Sequence, residues 1–200
     1  MRQFIYIFLA VMIIAIPLRG AGGVGLDSDP PIYPFVRVME GYCLPFVEDE
    51  AQEPSIYWDI TAGFSYEFMA LGLSVNSHFL TSYRDSVVDP DMQLNTEGYT
   101  VAAMAHVEGK ADVRPMQFAA GINLGLIWFK EYDHIRSSWT KSRTPVIGLN
   151  LDFRIPVAGK LGLNVGGGYM ASFEGFEVDA KAYNSIQGTI GLAYDGAIIR

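Results

Sequence analysis

Strict alternation of side-chain character is the strongest constraint on this chain, and it is clearest in the stretch IYWDITAGFSYEF at 56–68. Every even position, from Ile56 to Phe68, is apolar or aromatic, while the odd positions from Asp59 onward are small, polar or charged. A period of two places these sets on opposite faces of a β-strand. One face therefore avoids water, and the other suits a narrow polar space.

The same alternation recurs in segment after segment. Eight strands are predicted, at 35–44, 56–68, 71–83, 99–108, 116–129, 146–155, 161–173 and 185–194. The first is the least regular, because Glu40 shares a face with Val36, Val38 and Tyr42, and this irregularity leaves room for a bulge. The connections 69–70, 109–115 and 156–160 are short, whereas 45–55, 84–98, 130–145 and 174–184 are longer and polar. Short turns on one side and long loops on the other are typical of a meander that crosses a membrane.

The composition of the two faces indicates which one is outside. The polar faces are mostly Gly, Ser, Thr, Asn and Ala, which fit the narrow interior of an eight-stranded barrel. The five lysines are expected in turns, loops or strand ends: Lys110, Lys130, Lys141, Lys160 and Lys181. A lipid-facing sheet would keep them there, because a lysine at the bilayer midplane costs about 2–4 kcal/mol. The apolar face is therefore predicted to contact lipid.

Aromatic residues on the apolar face gather in two belts, as in transmembrane barrels. The belt near the long loops contains Trp58, Phe79, Tyr83, Tyr99, Trp128, Tyr169 and Phe173. The belt near the short turns contains Tyr66, Phe68, Phe118, Phe153 and Tyr194.

The N-terminal residues differ in pattern from the predicted strands. Arg2 precedes an apolar run at 4–16, and the small residues GAGG follow at 20–23. This pattern predicts a secretory signal peptide over 1–22, and the run is too short to span a bilayer as a helix. An uncleaved anchor is the alternative. A linker is predicted over 23–34 and the barrel over 35–196.

Charge and cysteine content exclude several classes of protein. The formal net charge is −8, which argues against nucleic acid as a partner. Cys43 is the single cysteine, so an internal disulfide framework is excluded. With three histidines, one of them in a loop, neither a metal site nor a cofactor is expected.

At this point the sequence resembles a family, the small eight-stranded outer-membrane β-barrels of didermic bacteria. The resemblance covers about 32–196 and lies in strand number, alternation, loop asymmetry and the signal peptide. Thr189, Gly191 and Tyr194 match the closing-strand pattern, although Gly196 stands where family members often end on an aromatic residue. The resemblance implies an all-β, antiparallel up-and-down transmembrane barrel in the outer membrane. It also implies contact with outer-membrane lipid, and assembly by periplasmic chaperones and the barrel-assembly machinery.

Polar residues on the inward faces are the first candidate site. They are Arg37, Asp59, Glu67, Asn76, His78, His106, Glu108, Asn123, Asn150, Asp152 and Arg154. Our hypothesis is a lumen polar cluster in which Arg37 and Arg154 bridge carboxylates across the barrel, filling it. A conducting lumen is the alternative.

The second candidate site is the segment 130–145, which is predicted as a long loop. Its contact candidates are Lys130, His134, Arg136, Trp139, Lys141 and Arg143. Exposed loops on a rigid barrel commonly carry binding, so contact with an extracellular ligand or an anionic glycolipid is the functional hypothesis. The alternative is that these charges only solvate the loop tip.

The predicted role is non-enzymatic: a barrel that presents long surface loops for interaction, adhesion or envelope integrity. A narrow conduit for small or hydrophobic solutes is the alternative. A lipid-modifying enzyme is disfavoured, because Ser77 and His78 face opposite sides of one strand. His106 and Glu108 could pair, but no nucleophile follows at a recognisable spacing.

Overall fold

The computed structural model describes residues 32–47, 51–66, 68–83, 96–113, 115–134, 137–173 and 183–196. Its strands are β1 Tyr33–Val47, β2 Ala51–Gln52, β3 Ser55–Ser65, β4 Met69–Tyr83, β5 Thr96–Val113, β6 Met116–Asp133, β7 Ser138–Ala158, β8 Leu161–Ser172 and β9 Tyr183–Asp195. No helix in the described part of the chain is long and apolar enough to cross a bilayer. The predicted signal peptide and most of the predicted linker lie outside the described residues.

Eight of these strands form a closed antiparallel barrel. Each long strand pairs with the next one along the chain, and β1 closes the ring by pairing with both β3 and β9. The two-residue β2 is an addition at the rim, where it pairs with the end of β4. The predicted eight-stranded up-and-down barrel is confirmed.

The stagger of the ladder fixes the tilt of the strands. Following paired residues once round the barrel from Phe35 leads back to Pro45 on the same strand, a displacement of ten residues. With the usual spacings along and between strands, this shear tilts the strands by about 40° from the barrel axis. An interior this narrow is filled by side chains.

The outer surface of the barrel is an apolar band. Trp58 and Trp128 point outward and are 40% and 41% exposed, and Leu73 is 70% exposed. On β6, Phe118 of the lower belt and Trp128 of the upper belt are ten residues apart. At the tilt above this is about 25 Å along the axis, the height of the apolar band of a transmembrane barrel. The prediction that the apolar face is the outer one is confirmed.

Several predicted boundaries were wrong. The second strand ends at Ser65 rather than at 68, because Tyr66 N donates to Met69 O at 2.7 Å and closes a tight turn. The ladder of β1 with both neighbours is unbroken from Phe35 to Cys43, so the bulge allowed for around Glu40 does not form.

The segment 130–145 is a hairpin of paired strands and not a long loop. Lys130 pairs with Lys141 and Asp133 pairs with Ser138, so only 134–137 connect β6 to β7. Polar composition suggested a loop, yet backbone pairing continues where the side chains leave the apolar band. Lys110, expected in a turn, lies within β5 and is buried.

Candidate functional site

Charged side chains gather inside the barrel, most of them in the half nearer the short turns. They occupy inward positions of β1, β3, β5, β7 and β9, where alternation points every second side chain at the axis. We call them the lumen cluster: Arg37, Asp59, Glu108, Lys110, Asp152, Arg154 and Asp195. All seven are buried.

Two arginines cross-link strands on different sides of the barrel. Arg154 Nη2 of β7 lies 2.6 and 2.7 Å from the two carboxylate oxygens of Glu108 on β5. Arg154 Nη1 lies 3.3 Å from Asp195 Oδ2 on β9. Arg37 Nη1 of β1 lies 2.9 Å from Glu108 Oε2 and 2.6 Å from Asp152 Oδ2. Each guanidinium thus contacts two carboxylates, in charge-assisted bonds of the strong kind.

The other charged groups of the lumen cluster also have partners. Lys110 Nζ donates to Asp195 Oδ2 at 3.0 Å, and Ser65 Oγ donates to Asp195 Oδ1 at 2.6 Å. The hydroxyls of Thr61 and Ser74 donate hydrogen bonds to the Asp59 carboxylate, at 2.8 and 2.6 Å.

The side-chain amides of Asn150 and Asn123 connect Asp152 to His106. Asn150 Nδ2 donates to the Asp152 carboxylate at 3.0 Å, which leaves Asn150 Oδ1 to accept from Asn123 Nδ2 at 3.4 Å. Asn123 Oδ1 then faces His106 Nδ1 at 2.7 Å, and His106 Nε2 faces Glu108 Oε2 at 3.3 Å. Both ring nitrogens of His106 therefore lie close to side-chain oxygens, which fixes the orientation of the ring.

The half of the lumen nearer the long connections is mainly apolar, with one polar network. The buried apolar cluster there comprises Leu80, Ala102, Met104, Ile127, Phe129, Val146, Met170 and Tyr183. The Tyr183 hydroxyl contacts His78 Nε2 and lies 3.4 Å from Cys43 Sγ, while Thr100 Oγ1 lies 2.9 Å from His78 Nδ1. Cys43 is completely buried, so it is a packed structural residue.

A small cavity of about 40 Å³, with a mixed polar and apolar lining, lies between the two halves. Arg37, Asp59, Asn76, Asn150 and Asp152 are among the side chains that line it. Arg37 Nε and Asn76 Oδ1 are buried there without a hydrogen-bond partner among the described residues. The size suits roughly two or three water molecules.

The predicted lumen residues are brought together to different degrees. Buried inside the barrel are Arg37, Asp59, Asn76, His78, His106, Glu108, Asp152 and Arg154, while Asn123 and Asn150 are half-buried. His78 lies in the upper network and not with the charges. Glu67 lies outside the described residues. No group of three or more His, Cys, Asp or Glu side chains that could hold a metal ion occurs in the described part of the chain.

Comparison with known proteins gives structural likeness alone. Neisserial surface protein A matches with a TM-score of 0.62 and 14% identity, over 82% of this chain and 98% of that one. OprG, an outer membrane protein of Pseudomonas aeruginosa, matches with a TM-score of 0.54 and 10% identity, over 81% and 95%. A major outer membrane protein of Thermus thermophilus gives 0.52 and 13%, over 82% and 99%. No family model and no curated protein sequence matches the chain.

The chain therefore shares the fold of these outer-membrane β-barrels. At identities this low the likeness carries the fold and nothing about the role of the lumen cluster.

The aromatic belts of the barrel lie on its outer surface. Exposed on that surface are Trp58, Phe68, Phe79, Tyr99, Trp128, Phe153, Tyr169 and Phe173, and Tyr66, Phe118 and Tyr194 are half-exposed. The side chain of Tyr83 lies outside the described residues.

Basic and aromatic residues share the outward face of the barrel where β5, β6 and β7 leave the apolar band. We call this surface the hairpin patch: Tyr99, Lys130, Trp139, Lys141 and Arg143. Lys130 Nζ lies 4.7 Å from the centroid of the Trp139 ring and 5.7 Å from that of Tyr99. His134 lies in the turn beyond β6, 3.7 Å from Glu97, and Arg136 lies outside the described residues.

Three of the interior residues were not predicted from the sequence: Lys110, Asp195 and Tyr183. Lys110 and Asp195 continue the inward alternation of β5 and β9 by one step, so extending the period past the predicted strand ends would have found them. Tyr183 precedes the predicted last strand by two residues and shares the same parity.

Proposed function

We propose that this protein is a non-enzymatic barrel of the bacterial outer membrane that presents the end carrying the β6–β7 hairpin for interaction at the cell surface. The hairpin patch is the observation that carries this proposal. It lies on the outward face, beside the upper aromatic belt, and so meets lipid headgroups or surface ligands.

The hairpin patch favours an anionic partner. Lys130 and Lys141 stand directly opposite each other in the ladder, and like charges in that position repel. Arg143 follows Lys141 on the same face, and the three basic groups line an open depression together with Tyr99 and Trp128. A phosphate of an outer-leaflet glycolipid placed between the two ammonium groups would relieve the repulsion.

The filled lumen supports a surface role over a conduit. The lumen cluster links β1, β5, β7 and β9 through hydrogen-bonded charges, and the apolar cluster occupies the opposite half. A solute would have to displace both, and breaking such a buried network is costly.

The contacts of the histidines support a non-enzymatic role. Ser77 Oγ donates to the backbone oxygen of Thr100 at 2.7 Å and is on the opposite face from His78. Glu108, beside His106, is already held by both arginines, which makes it a poor general base.

Glycolipid binding tests the proposal. The full chain in neutral detergent micelles would be titrated with phosphorylated and dephosphorylated forms of an outer-leaflet glycolipid. We expect tighter binding of the phosphorylated form, and the Lys130→Gln/Lys141→Gln variant should lose roughly tenfold or more of that binding. Lys160→Gln is the matched control, since Lys160 also lies over an aromatic ring, Tyr33, at the other end of the barrel. Equal affinity of the double variant and the control would reject the patch.

Conductance tests the filled lumen separately. The full chain in a planar bilayer should give no defined current steps. Reproducible unitary steps would favour the conduit alternative.

A further inference from the structure

One carboxylate lies on the wrong face of the barrel for a transmembrane protein. Glu40 is the middle residue of the fifteen in β1, and its side chain is exposed on the outward face. The outward residues that flank it along the strand are Val38 on one side and Tyr42, Leu44 and Phe46 on the other. It makes no hydrogen bond or ion pair with any described residue. The carboxyl therefore faces hydrocarbon at mid-height in the apolar band.

Local geometry gives this carboxyl no route into the lumen. The ladder of β1 is unbroken on both sides, so Glu40 is held opposite Trp58 and Ile190 with its side chain outward. Ionisable residues in the hydrocarbon region are expensive and generally mark a functional contact with a polar partner. Since no described residue supplies a hydrogen-bond donor, this carboxyl is open to a donor on a second molecule.

A notch lies beside Glu40 on the same surface. Gly188 of β9 and Gly167 of β8 face outward and are directly paired. A Cβ added at Gly188 would meet no atom within 4 Å, so the surface is indented and open there. Small residues of this kind let transmembrane elements approach closely.

A projecting ring stands directly next to the notch. Tyr42 pairs with Gly188 across the β1–β9 ladder and is 69% exposed. Its hydroxyl makes no hydrogen bond with any described residue. The hydroxyl of Tyr169, by contrast, donates to Asn184 Oδ1 at 3.0 Å. Among the described residues, neither the Tyr42 hydroxyl nor the Glu40 carboxylate has a partner, and the two lie two residues apart on one strand.

We propose that two copies of this chain associate side by side through the β1–β9 face, about a twofold axis along the membrane normal. The Tyr42 ring of each copy enters the notch of the other, and its hydroxyl donates to the partner's Glu40. The Tyr42 ring, the notch at Gly188 and the Glu40 carboxylate all lie on one patch of the same chain. Such a patch is self-complementary, as a twofold interface requires. A different protein would have to supply a matching ring and donor of its own. The association is independent of the surface role proposed above.

The test measures self-association of the full chain in lipid vesicles, by counting photobleaching steps of labelled barrels over a range of protein-to-lipid ratios. The parent should be a dimer. Tyr42→Phe, Glu40→Leu and Gly188→Leu should each weaken dimerisation by roughly tenfold or more, because each removes one element of the interface.

Matched controls keep the result specific. Tyr169→Phe removes a hydroxyl that is already bonded within one chain, and Leu124→Phe enlarges an outward side chain on β6; neither should change the dimer fraction. All five variants should keep the heat-modifiable gel mobility of a folded barrel. A parent that is monomeric at every ratio would overturn the proposal. So would variants of Tyr42, Glu40 and Gly188 that dimerise like the parent, or a complex that forms only with another protein.

Discussion

Removing Arg154 should destabilise the barrel more than any surface substitution. Its side chain is 2% exposed and donates to both oxygens of Glu108, to Asp195, to Asn164 and to Gln117. Arg154→Ala would leave these groups buried beside a space that the guanidinium had filled. Breaking one partner out of a buried ion pair costs about 3–5 kcal/mol.

The remaining contacts place the expected loss near the lower end of that range. Glu108 would keep Arg37 at 2.9 Å, and Asp195 would keep Lys110 at 3.0 Å, so neither carboxylate would be stranded. We therefore expect a loss of about 3 kcal/mol in the free energy of unfolding of Arg154→Ala.

Urea unfolding in lipid vesicles, followed by tryptophan fluorescence, measures this loss. The urea concentration at the unfolding midpoint should fall, while the slope of the unfolding free energy against urea concentration stays constant. This would show that the stability of the barrel has changed and that the compactness of the unfolded state has not. Lys141→Ala is the control, since an exposed cation should change stability by no more than about 0.5 kcal/mol. If Arg154→Ala is as stable as that control, the lumen cluster does not hold the barrel closed.

Three further outcomes are expected. His106→Gln should cost about 1–3 kcal/mol in urea unfolding, because one of the two oxygens that face the ring, on Asn123 and Glu108, loses its partner; a variant as stable as the parent would contradict this. Gly191→Ala should lower the unfolding midpoint, because its added Cβ would lie 2.0 Å from a backbone oxygen of β1, whereas Gly109→Ala, with its nearest atom at 3.9 Å, should not; equal midpoints would refute the steric reason. Tyr183→Phe should cost about 1 kcal/mol, because His78 loses the Tyr183 hydroxyl and keeps only that of Thr100; a variant as stable as the parent would show that this hydrogen bond does not contribute to stability.

The fold was predictable because lipid and lumen impose opposite demands on successive residues. Ile56, Trp58 and Ile60 face outward while Asp59 and Thr61 face inward, so a period of two is written into the sequence itself. Backbone polarity forces such a sheet to close, since an open edge in hydrocarbon would leave donors unsatisfied. Alternation, strand number and the need for closure together specify a barrel.

The β6–β7 hairpin could not be predicted in the same way. The alternation of apolar and polar side chains depends on whether the strand is surrounded by hydrocarbon or water, whereas the backbone pairing of the two strands does not. Beyond Trp128 the outward face no longer meets hydrocarbon, so Lys130 and Tyr132 occupy positions that would be aliphatic lower down. The ladder nevertheless continues to Asp133 and Ser138. The position where the outward residues stop being apolar therefore marks the edge of the apolar band, and the strand continues beyond it.

The sequence indicated that Arg37 and Arg154 bridge carboxylates, and both contact Glu108 in the structure, but the other pairings in the lumen cluster could not be predicted, for a geometric reason. Alternation shows that Arg37 and Asp152 both face inward, but it does not show that residues 115 positions apart meet. Which groups share a height depends on the shear of the closed barrel, and a one-residue slip in any ladder would turn the set outward. The ten-residue shear is a property of the whole ring and appears in no single segment.

Glu40 and the lumen cluster are two answers to one energetic problem. Lipid tails are as apolar as the outward side chains, so contact with them supplies no hydrophobic drive for one membrane element to pack on another. Specific association must then come from close fit and from polar groups that find partners. Inside the barrel, Arg37 and Arg154 meet that requirement for Glu108 within one chain. On the outside, Glu40 has no such partner among the described residues of its own chain, and the proposed contact with a second barrel would meet the same requirement there.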